Sequence, residues 1–363
     1  MIPLLAPKLK AKTKSTPKSK TKKTKAAAKA AARGTPKITP GQLASVKIEQ
    51  LKEFLRTKTL EAVIPQDFKR NGVQLVKYER IGGLTNKNYK LLMGDDVLVL
   101  RLPGRGTGRF INRSHERANH FAAARAGYTP PALYFNQFTG VKVSTFLQDA
   151  TVLSPLTASM PENYLQVATL LREFHDAPVR FANTFNGFAM TRVYERVARS
   201  RFEPFYAGFK DLQSRIRSLE SILKSMTVPI RACHNDLVPE NILAVNGRMQ
   251  LIDWEYSGMN DPAWDIASFL LESEFGPEDI KAFLAVYLPS TADSAEFMFR
   301  VQVYEAVQDY LWSLWSLMQC SSNRNSDRGP YYRRYGEQRF TRARSSLDAL
   351  EAGYSLKLKA SSL

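Results

Sequence analysis

Residues 231–256, RACHNDLVPENILAVNGRMQLIDWEY, set His234, Asp236, Asn241 and Asp253 among strongly apolar neighbours. Asn246-Gly247 is a strong two-residue hairpin signal, and it folds 242–245 back against 248–252. Asn241 and Asp253, 12 positions apart in the chain, then stand side by side at one end of the hairpin. An amide and a carboxylate oxygen together form a hard donor pair suited to Mg²⁺, which completes its shell with water and substrate phosphates. Asp236, on the loop just before the hairpin, is placed to take a proton from a hydroxyl as it attacks phosphorus. One Asp as base, with an Asn and an Asp for metal, is the division of labour in kinase phosphoryl transfer. Two other readings stand beside it. A zinc site needs at least three converging ligands, and only Cys233 and His234 are at hand, adjacent and pointing apart if extended. Ordinary turn and capping residues account for Asn246 and Gly247, but not for His-x-Asp followed by Asn and a strand-end Asp. His234 fits a packing and loop-bracing role better than that of a proton carrier.

Elements on both sides must hold this cluster. Apolar spacing at Ile48, Leu51 and Leu55 predicts a helix in KIEQLKEFLRT. Three strand-like runs follow, VQLVKYERI, NKNYKLLMG and DVLVLRLPG, broken by GGLT and GDD and read as antiparallel hairpins. A helix is predicted over 112–127, stopped by Gly127, then two strands in PPALYFNQFTGVKVSTFL around Gly140. Residues 147–154 read as a crossing segment. Helical patterns then cover 161–176, 191–225, 262–274, 277–287, 294–320 and 335–353, interrupted only by the opening stretch. The expected fold class is α+β and two-lobed: a small antiparallel-sheet N-lobe at 41–148 and a larger helical C-lobe at 149–363.

Charge divides the chain differently. Twelve of its 52 Lys and Arg lie in residues 1–40, which hold no Asp or Glu, so the remainder carries 40 basic against 34 acidic residues and a net +6 instead of +18. The segment 1–40 is low-complexity Lys, Ala, Thr, Ser and Pro, too poor in large apolar residues to offset the entropy of ordering. It reads as a disordered basic tail, with electrostatic contact to nucleic acid or anionic lipid as a second role. Two cysteines cannot form a disulfide framework, no apolar run approaches the roughly 18 residues of a membrane span, and no signal-peptide block is present. The expectation is a cytoplasmic protein without a transmembrane segment.

HNDLVPEN followed by LIDWEYSGMNDPAWDIASF resembles the choline/ethanolamine kinase family, in its bacterial choline kinase form, within the aminoglycoside-phosphotransferase-like enzymes that share the protein-kinase-like fold. IGGLTNKNYKL, VLVLRLPG and ALYFNQFTGVKVSTFL extend the resemblance, which covers about 45–345. It implies Asp236 as catalytic base, Asn241 and Asp253 as Mg²⁺ ligands, and a loop of Gly82, Gly83, Thr85 and Asn86 over the ATP phosphates. Paired glycines let backbone N–H groups approach phosphate, although GGLTN read alone is more often a plain turn. Arg101 stands where protein kinases carry a strand Lys, with Glu116 on the next helix as candidate partner or as a solvent-facing charge. Asp265 would brace the catalytic loop.

Choline bears a permanent positive charge with no N–H donors, so its site needs aromatic faces and a nearby carboxylate. In VYEAVQDYLWSLWSLMQ the helical stripe of Val303, Val307, Tyr310, Leu311, Leu314 and Met318 takes in Trp315. Trp312 falls on the polar side with Glu305, Gln308 and Ser316. The resemblance assigns Trp312, Trp315, Tyr256 and Tyr335 to a choline cage and Glu272 to the ammonium. Beyond Glu272, SEFGPEDI is shorter than in animal members and offers Phe275 but no Tyr, leaving one wall undefined and with it the choice of amine. The expected function is an ATP- and Mg²⁺-dependent choline kinase, with a homodimer left open. The alternatives are a sibling kinase acting on ethanolamine, thiamine or an aminoglycoside, and an idle kinase-like scaffold working through its tail. The intact set Asp236, Asn241 and Asp253 speaks against the scaffold.

Overall fold

The computed structural model describes residues 75–356 except 84, 94–95, 105–106, 202–203, 289, 291–293 and 324–327. The basic tail, the helix predicted from Lys47 and the start of the first predicted strand lie outside the described residues.

Strands β1 (Leu75–Gly82), β2 (Lys87–Met93) and β3 (Asp96–Leu102) form where the three strand-like runs were expected. Helix α1 (Arg113–Arg125) follows, capped by the Asn112 side chain, which accepts from the N–H groups of Ser114 (3.0 Å) and His115 (3.1 Å). This cap satisfies donors that the first helical turn leaves unpaired. Strands β4 (Ala132–Phe135) and β5 (Lys142–Thr145) complete a sheet of order β1-β2-β3-β5-β4, antiparallel at every pairing. In its register Arg101 of β3 lies directly opposite Lys142 of β5, so the two cations share one face of the sheet.

Strand β6 (Thr151–Val152), within the crossing segment, pairs with the first strand of the 242–251 hairpin. Then come α2 (Pro155–Ala158), α3 (Pro161–Asp176), α4 (Gly187–Ser200) and α5 (Phe209–Lys224). Helix α3 matches its predicted bounds: Pro161 sits in its first turn, and Val167, Leu171 and Phe174 form one buried stripe. The single helix predicted over 191–225 is instead two. Pro204 has no N–H to donate, and Gly208 adopts φ +77° as the cap of α5, a conformation open to glycine.

Strand β7 (Arg231–Cys233) pairs with β10 (Gly258–Asn260), a strand not anticipated because only three residues take part. Between them β8 (Ile242–Val245) and β9 (Arg248–Leu251) make the predicted hairpin, with φ positive at both Asn246 (+49°) and Gly247 (+71°). Positive φ at both central residues gives a two-residue turn the twist that antiparallel strands require. Helices α6 (Ala263–Glu272), α7 (Pro277–Tyr287), α8 (Ser294–Ser322) and α9 (Arg328–Tyr354) finish the helical region.

Helix α8 runs through the centre, packed by α4, α5, α6 and α9. Helical spacing predicted a polar side holding Glu305, Gln308, Trp312 and Ser316, but the fold covers it, with Gln308 and Ser316 wholly buried and Trp312 8 % exposed. Small residues permit the close approach of α9: a Cβ on Gly336 would stand 1.8 Å from Ser316 Oγ. Ser316 shares a hydrogen bond with the Tyr206 hydroxyl (2.8 Å), and Gln308 donates to the Trp264 carbonyl (2.9 Å), its side-chain oxygen having no hydrogen-bond partner among the described residues. Among the described residues no helix is long and apolar enough to cross a membrane.

Candidate active site

Strand β7 delivers the chain into a loop whose backbone is fixed by one buried carboxylate. Asp265, in the first turn of α6 and fully buried, accepts the N–H of His234 through Oδ2 and that of Asn235 through Oδ1, both at 2.7 Å. His175 Nε2 also donates to Oδ2 (3.1 Å). The His234 ring donates from Nε2 to the Ile252 carbonyl (2.8 Å), tying the loop to the end of the hairpin, and burial holds its pKa below the ordinary value. Asn235, between these two anchors, has φ +65°. Its amide donates to the Tyr256 carbonyl (3.1 Å), accepts from Asn260 (2.8 Å), and its own carbonyl accepts the Trp264 indole N–H (3.2 Å). The pattern HND carried a signal for this, since Asn tolerates the left-handed region better than most residues, yet Asn235 was not singled out.

Asp236 follows with its side chain half-buried at the mouth of the loop. Burial pushes its carboxyl well above the usual range, and the neighbouring carboxylates of Asp253, Glu255 and Glu272 add to this, while the Asn241 amide opposes it. The Asn241 NH₂ donates to the Asp236 carbonyl (2.8 Å), with a longer contact to Oδ2 (3.4 Å). A carbonyl can only accept, so the Asn241 side-chain oxygen is turned the other way. The Asn241 main-chain carbonyl accepts the Ile252 N–H (2.9 Å), which sets Asn241 and Asp253 at the same end of the hairpin as its register requires.

Asp253 has φ +68° and meets the sheet. Arg101 Nη1 donates to its Oδ1, and Asn86 donates to its Oδ2 (3.1 Å). Burial alone would raise its pKa, but the Arg101 and Lys142 cations and the Asn86 amide hold it below the usual range. Arg101 also donates to Glu116, the pair expected from the sequence; Glu116 is 1 % exposed, so the solvent-facing alternative is set aside. Asn86 turns inward, its oxygen accepting the Gly104 N–H (3.2 Å) and its NH₂ also reaching Glu255 (3.3 Å). Gly82 and Gly83 form the exposed turn before it, with φ +120° and +96°. A Cβ on Gly83 would lie 2.0 Å from the Asn86 carbonyl oxygen, and one on Gly104 would strike Thr85, so the GGLTN turn and the LPG segment close only around glycine.

Several residues here escaped the sequence reading. Arg113 binds Glu116 (2.6 Å), Glu255 (3.1 Å) and Thr107 (2.6 Å). Lys142 is buried beside Arg101, and burial followed by that neighbouring cation brings its pKa down to about 8. His120 has neither ring nitrogen hydrogen-bonded among the described residues, and burial, then Lys142 and Arg101, push it down to about 2. None of these stood out because their significance depends on neighbours that distant parts of the chain supply. His175, Cys233 and Asp265 come near enough to one another to suggest a metal site. Both His175 ring nitrogens and both Asp265 oxygens are already in hydrogen bonds, and burial raises the Cys233 thiol pKa, which suits a hydrogen-bonded core better than a metal.

The aromatic residues form a continuous line. The Tyr256 ring lies 5.7 Å from that of Trp312 at 90°, Trp312 is 6.4 Å from Trp315 at 88°, and Trp315 is 6.3 Å from Tyr335 at 79°. All three contacts are edge-to-face, the arrangement favoured by ring quadrupoles. The Tyr256 hydroxyl is hydrogen-bonded to that of Tyr194 (2.7 Å). Glu272 is ion-paired with Arg339, whose guanidinium lies over the Tyr335 ring 5.1 Å from its centre. Phe275 packs elsewhere, against Tyr164, Phe269 and Phe283.

The family model for choline/ethanolamine kinase matches residues 79–344. Protein LicA of Haemophilus influenzae is 31% identical over 251 residues, which span 66% of this chain and 73% of that protein. The crystal structure of choline kinase LicA from Streptococcus pneumoniae superposes with a TM-score of 0.68 at 30% identity, covering 80% of this chain and 99% of that one. A structure of LicA in complex with AMP gives a TM-score of 0.67 at 28% identity, covering 83% and 98%. The fold is protein-kinase-like.

Proposed function

The chain belongs to the choline/ethanolamine kinase family, and on that premise we propose that it is an ATP- and Mg²⁺-dependent choline kinase, making phosphocholine and ADP in the cytoplasm. The observation that carries the choice of choline is the line of rings from Tyr256 through Trp312 and Trp315 to Tyr335, beginning three residues after Asp253. Rings offer their negative faces to a quaternary ammonium, which has no N–H to satisfy.

Choline carries its hydroxyl two carbons from the charged nitrogen, so base and cage must adjoin. The field of Glu272 is felt at both Asp236 and Tyr335, which supports that adjacency. Asp236 accepts the hydroxyl proton as the oxygen bonds to the γ-phosphorus. The bond from that phosphorus to the bridging oxygen breaks, and its electron pair departs with ADP. The raised pKa of Asp236 makes it a better base than an exposed carboxylate. The Asn241 side-chain oxygen, freed by the commitment of its NH₂ to Asp236, and the Asp253 carboxylate, kept ionised by Arg101, are the hard oxygens that would hold Mg²⁺. When bound, that ion neutralises charge on the transferring phosphoryl group. Arg101, fixed by Glu116, supplies a cation to the phosphates, and the exposed Gly82-Gly83 turn offers them backbone N–H groups.

A coupled ADP-release assay over choline, ethanolamine, thiamine and an aminoglycoside tests the reading. Choline should give the highest kcat/KM; any other acceptor ranking first overturns it.

A further inference from the structure

Glu272 stands beside the Tyr335 end of the aromatic line, and a bound amine would be expected to meet it as an open counter-ion. It already has a cation. Arg339 of α9 spends its whole guanidinium locally: Nη2 donates to Glu272, Nη1 to Asp309 (2.9 Å) and Nε to the Tyr335 hydroxyl (3.0 Å), while its plane covers the Tyr335 ring. Arg339 is 6 % exposed and Asp309 wholly buried. Burial would lower the guanidinium pKa, but Glu272, Tyr335 and Asp309 raise it, so this charge is permanent.

The Nη2 group occupies one oxygen of Glu272 and its positive charge offsets that of the carboxylate, which leaves a weaker counter-ion for any further cation. The two amines differ in what they need. A primary ammonium entering the pocket surrenders water from three N–H donors and loses affinity for each left without an acceptor. A trimethylammonium has no such donors, so ring faces beside a carboxylate that is already paired can hold it.

We infer that Arg339 is a specificity-determining positioning residue, which by engaging Glu272 and fixing Tyr335 leaves the acceptor cation to the aromatic faces and so favours a quaternary over a primary amine. This rests on the reading of the aromatic line as the acceptor site.

The test is steady-state kinetics with choline and with ethanolamine on the wild type, Arg339→Gln, Arg339→Lys and the double variant Arg339→Gln/Glu272→Gln. In Arg339→Gln the choline-to-ethanolamine ratio of kcat/KM should fall about tenfold, or ~1.4 kcal/mol. The change should come through the KM of each amine, with the KM for ATP as internal standard. Arg339→Lys, which keeps a charge but cannot span three partners, should fall between, and the double variant should regain the wild-type ratio because the released carboxylate is gone. Asp309 retains the Arg342 guanidinium (2.6 Å) in every variant, so no buried charge is orphaned. A ratio within twofold of wild type in the Gln and Lys variants overturns the inference. If one of the two variants does not fold, the other decides. A wild type that prefers ethanolamine, or is inactive on both amines, overturns instead the choline kinase reading.

Discussion

Replacing Asp265 by Asn changes one atom type at the point where the loop carrying Asp236 is anchored. The two side chains are nearly isosteric, so packing is preserved and the effect is electrostatic. Oδ1 accepts the Asn235 N–H; Oδ2 accepts the His234 N–H and His175 Nε2. Whichever way the new amide is turned, its NH₂ faces at least one backbone N–H, donor against donor, inside a site with no solvent access. One charge-assisted hydrogen bond is lost, at about 1.5–3 kcal/mol, and one buried donor is left unsatisfied, at about 1–3 kcal/mol. A loss of about 3–5 kcal/mol in unfolding free energy follows, read by urea denaturation at pH 7. Asn235 is held with φ +65°, a conformation that costs of order 1–3 kcal/mol to maintain. Freed from its anchor it relaxes toward negative φ and carries Asp236 with it. Misplacement by about 1 Å is worth roughly 10²-fold in rate, so kcat in the ADP-release assay should fall by about that factor while nucleotide affinity changes little. A variant that loses under 1 kcal/mol and keeps kcat within threefold would refute Asp265 as the brace.

Asp236→Ala should reduce turnover by about 10²–10⁴-fold while calorimetry still detects nucleotide binding; undiminished turnover would remove Asp236 from the mechanism. Lys142→Met tests the cost of a buried cation. With the folded pKa near about 8 against an ordinary 10.5, the unfolded chain holds the extra proton between those values, so wild-type stability rises with pH across that window. At pH 7 the Met variant should be the more stable by up to about 3 kcal/mol, with the gap closing by pH 10.5; a gap independent of pH would contradict the assignment. Removing residues 1–40 should leave turnover of soluble choline nearly unchanged and alter any salt-sensitive binding to polyanions, and a large loss of activity would show that the segment belongs to the enzyme.

Short-range signals were legible in the sequence where a single residue settles the backbone. Asn246-Gly247 announced its hairpin because few other pairs accept positive φ twice, and Pro161 announced the start of α3. The division of 191–225 was hidden because Phe205, Tyr206 and Phe209 prolong an apolar helical pattern across Pro204 and Gly208. Asp236, Asn241 and Asp253 could be grouped because one hairpin joins them. Arg113, Lys142 and Arg339 could not, since each takes its meaning from partners on other elements: Lys142 from the register that sets it opposite Arg101, Arg339 from Glu272 some 67 positions away. The burial of the polar side of α8 was likewise invisible, because it depends on the lack of a side chain at Gly336 on another helix.

That burial bears on how an acceptor is received. Trp312 and Trp315 project from a helix enclosed on every side, so their rotamers are set before any ligand arrives. Ordering a rotamer-rich side chain on association typically costs about 0.5–1.5 kcal/mol, and here folding has already met that cost for two of the four rings. The proposed acceptor wall is therefore preorganised, whereas the Gly82-Gly83 turn over the proposed phosphate site is exposed and lacks side chains to hold it. On that assignment, adaptation to substrate falls to the nucleotide side, and discrimination among small amines to a surface that cannot yield to them.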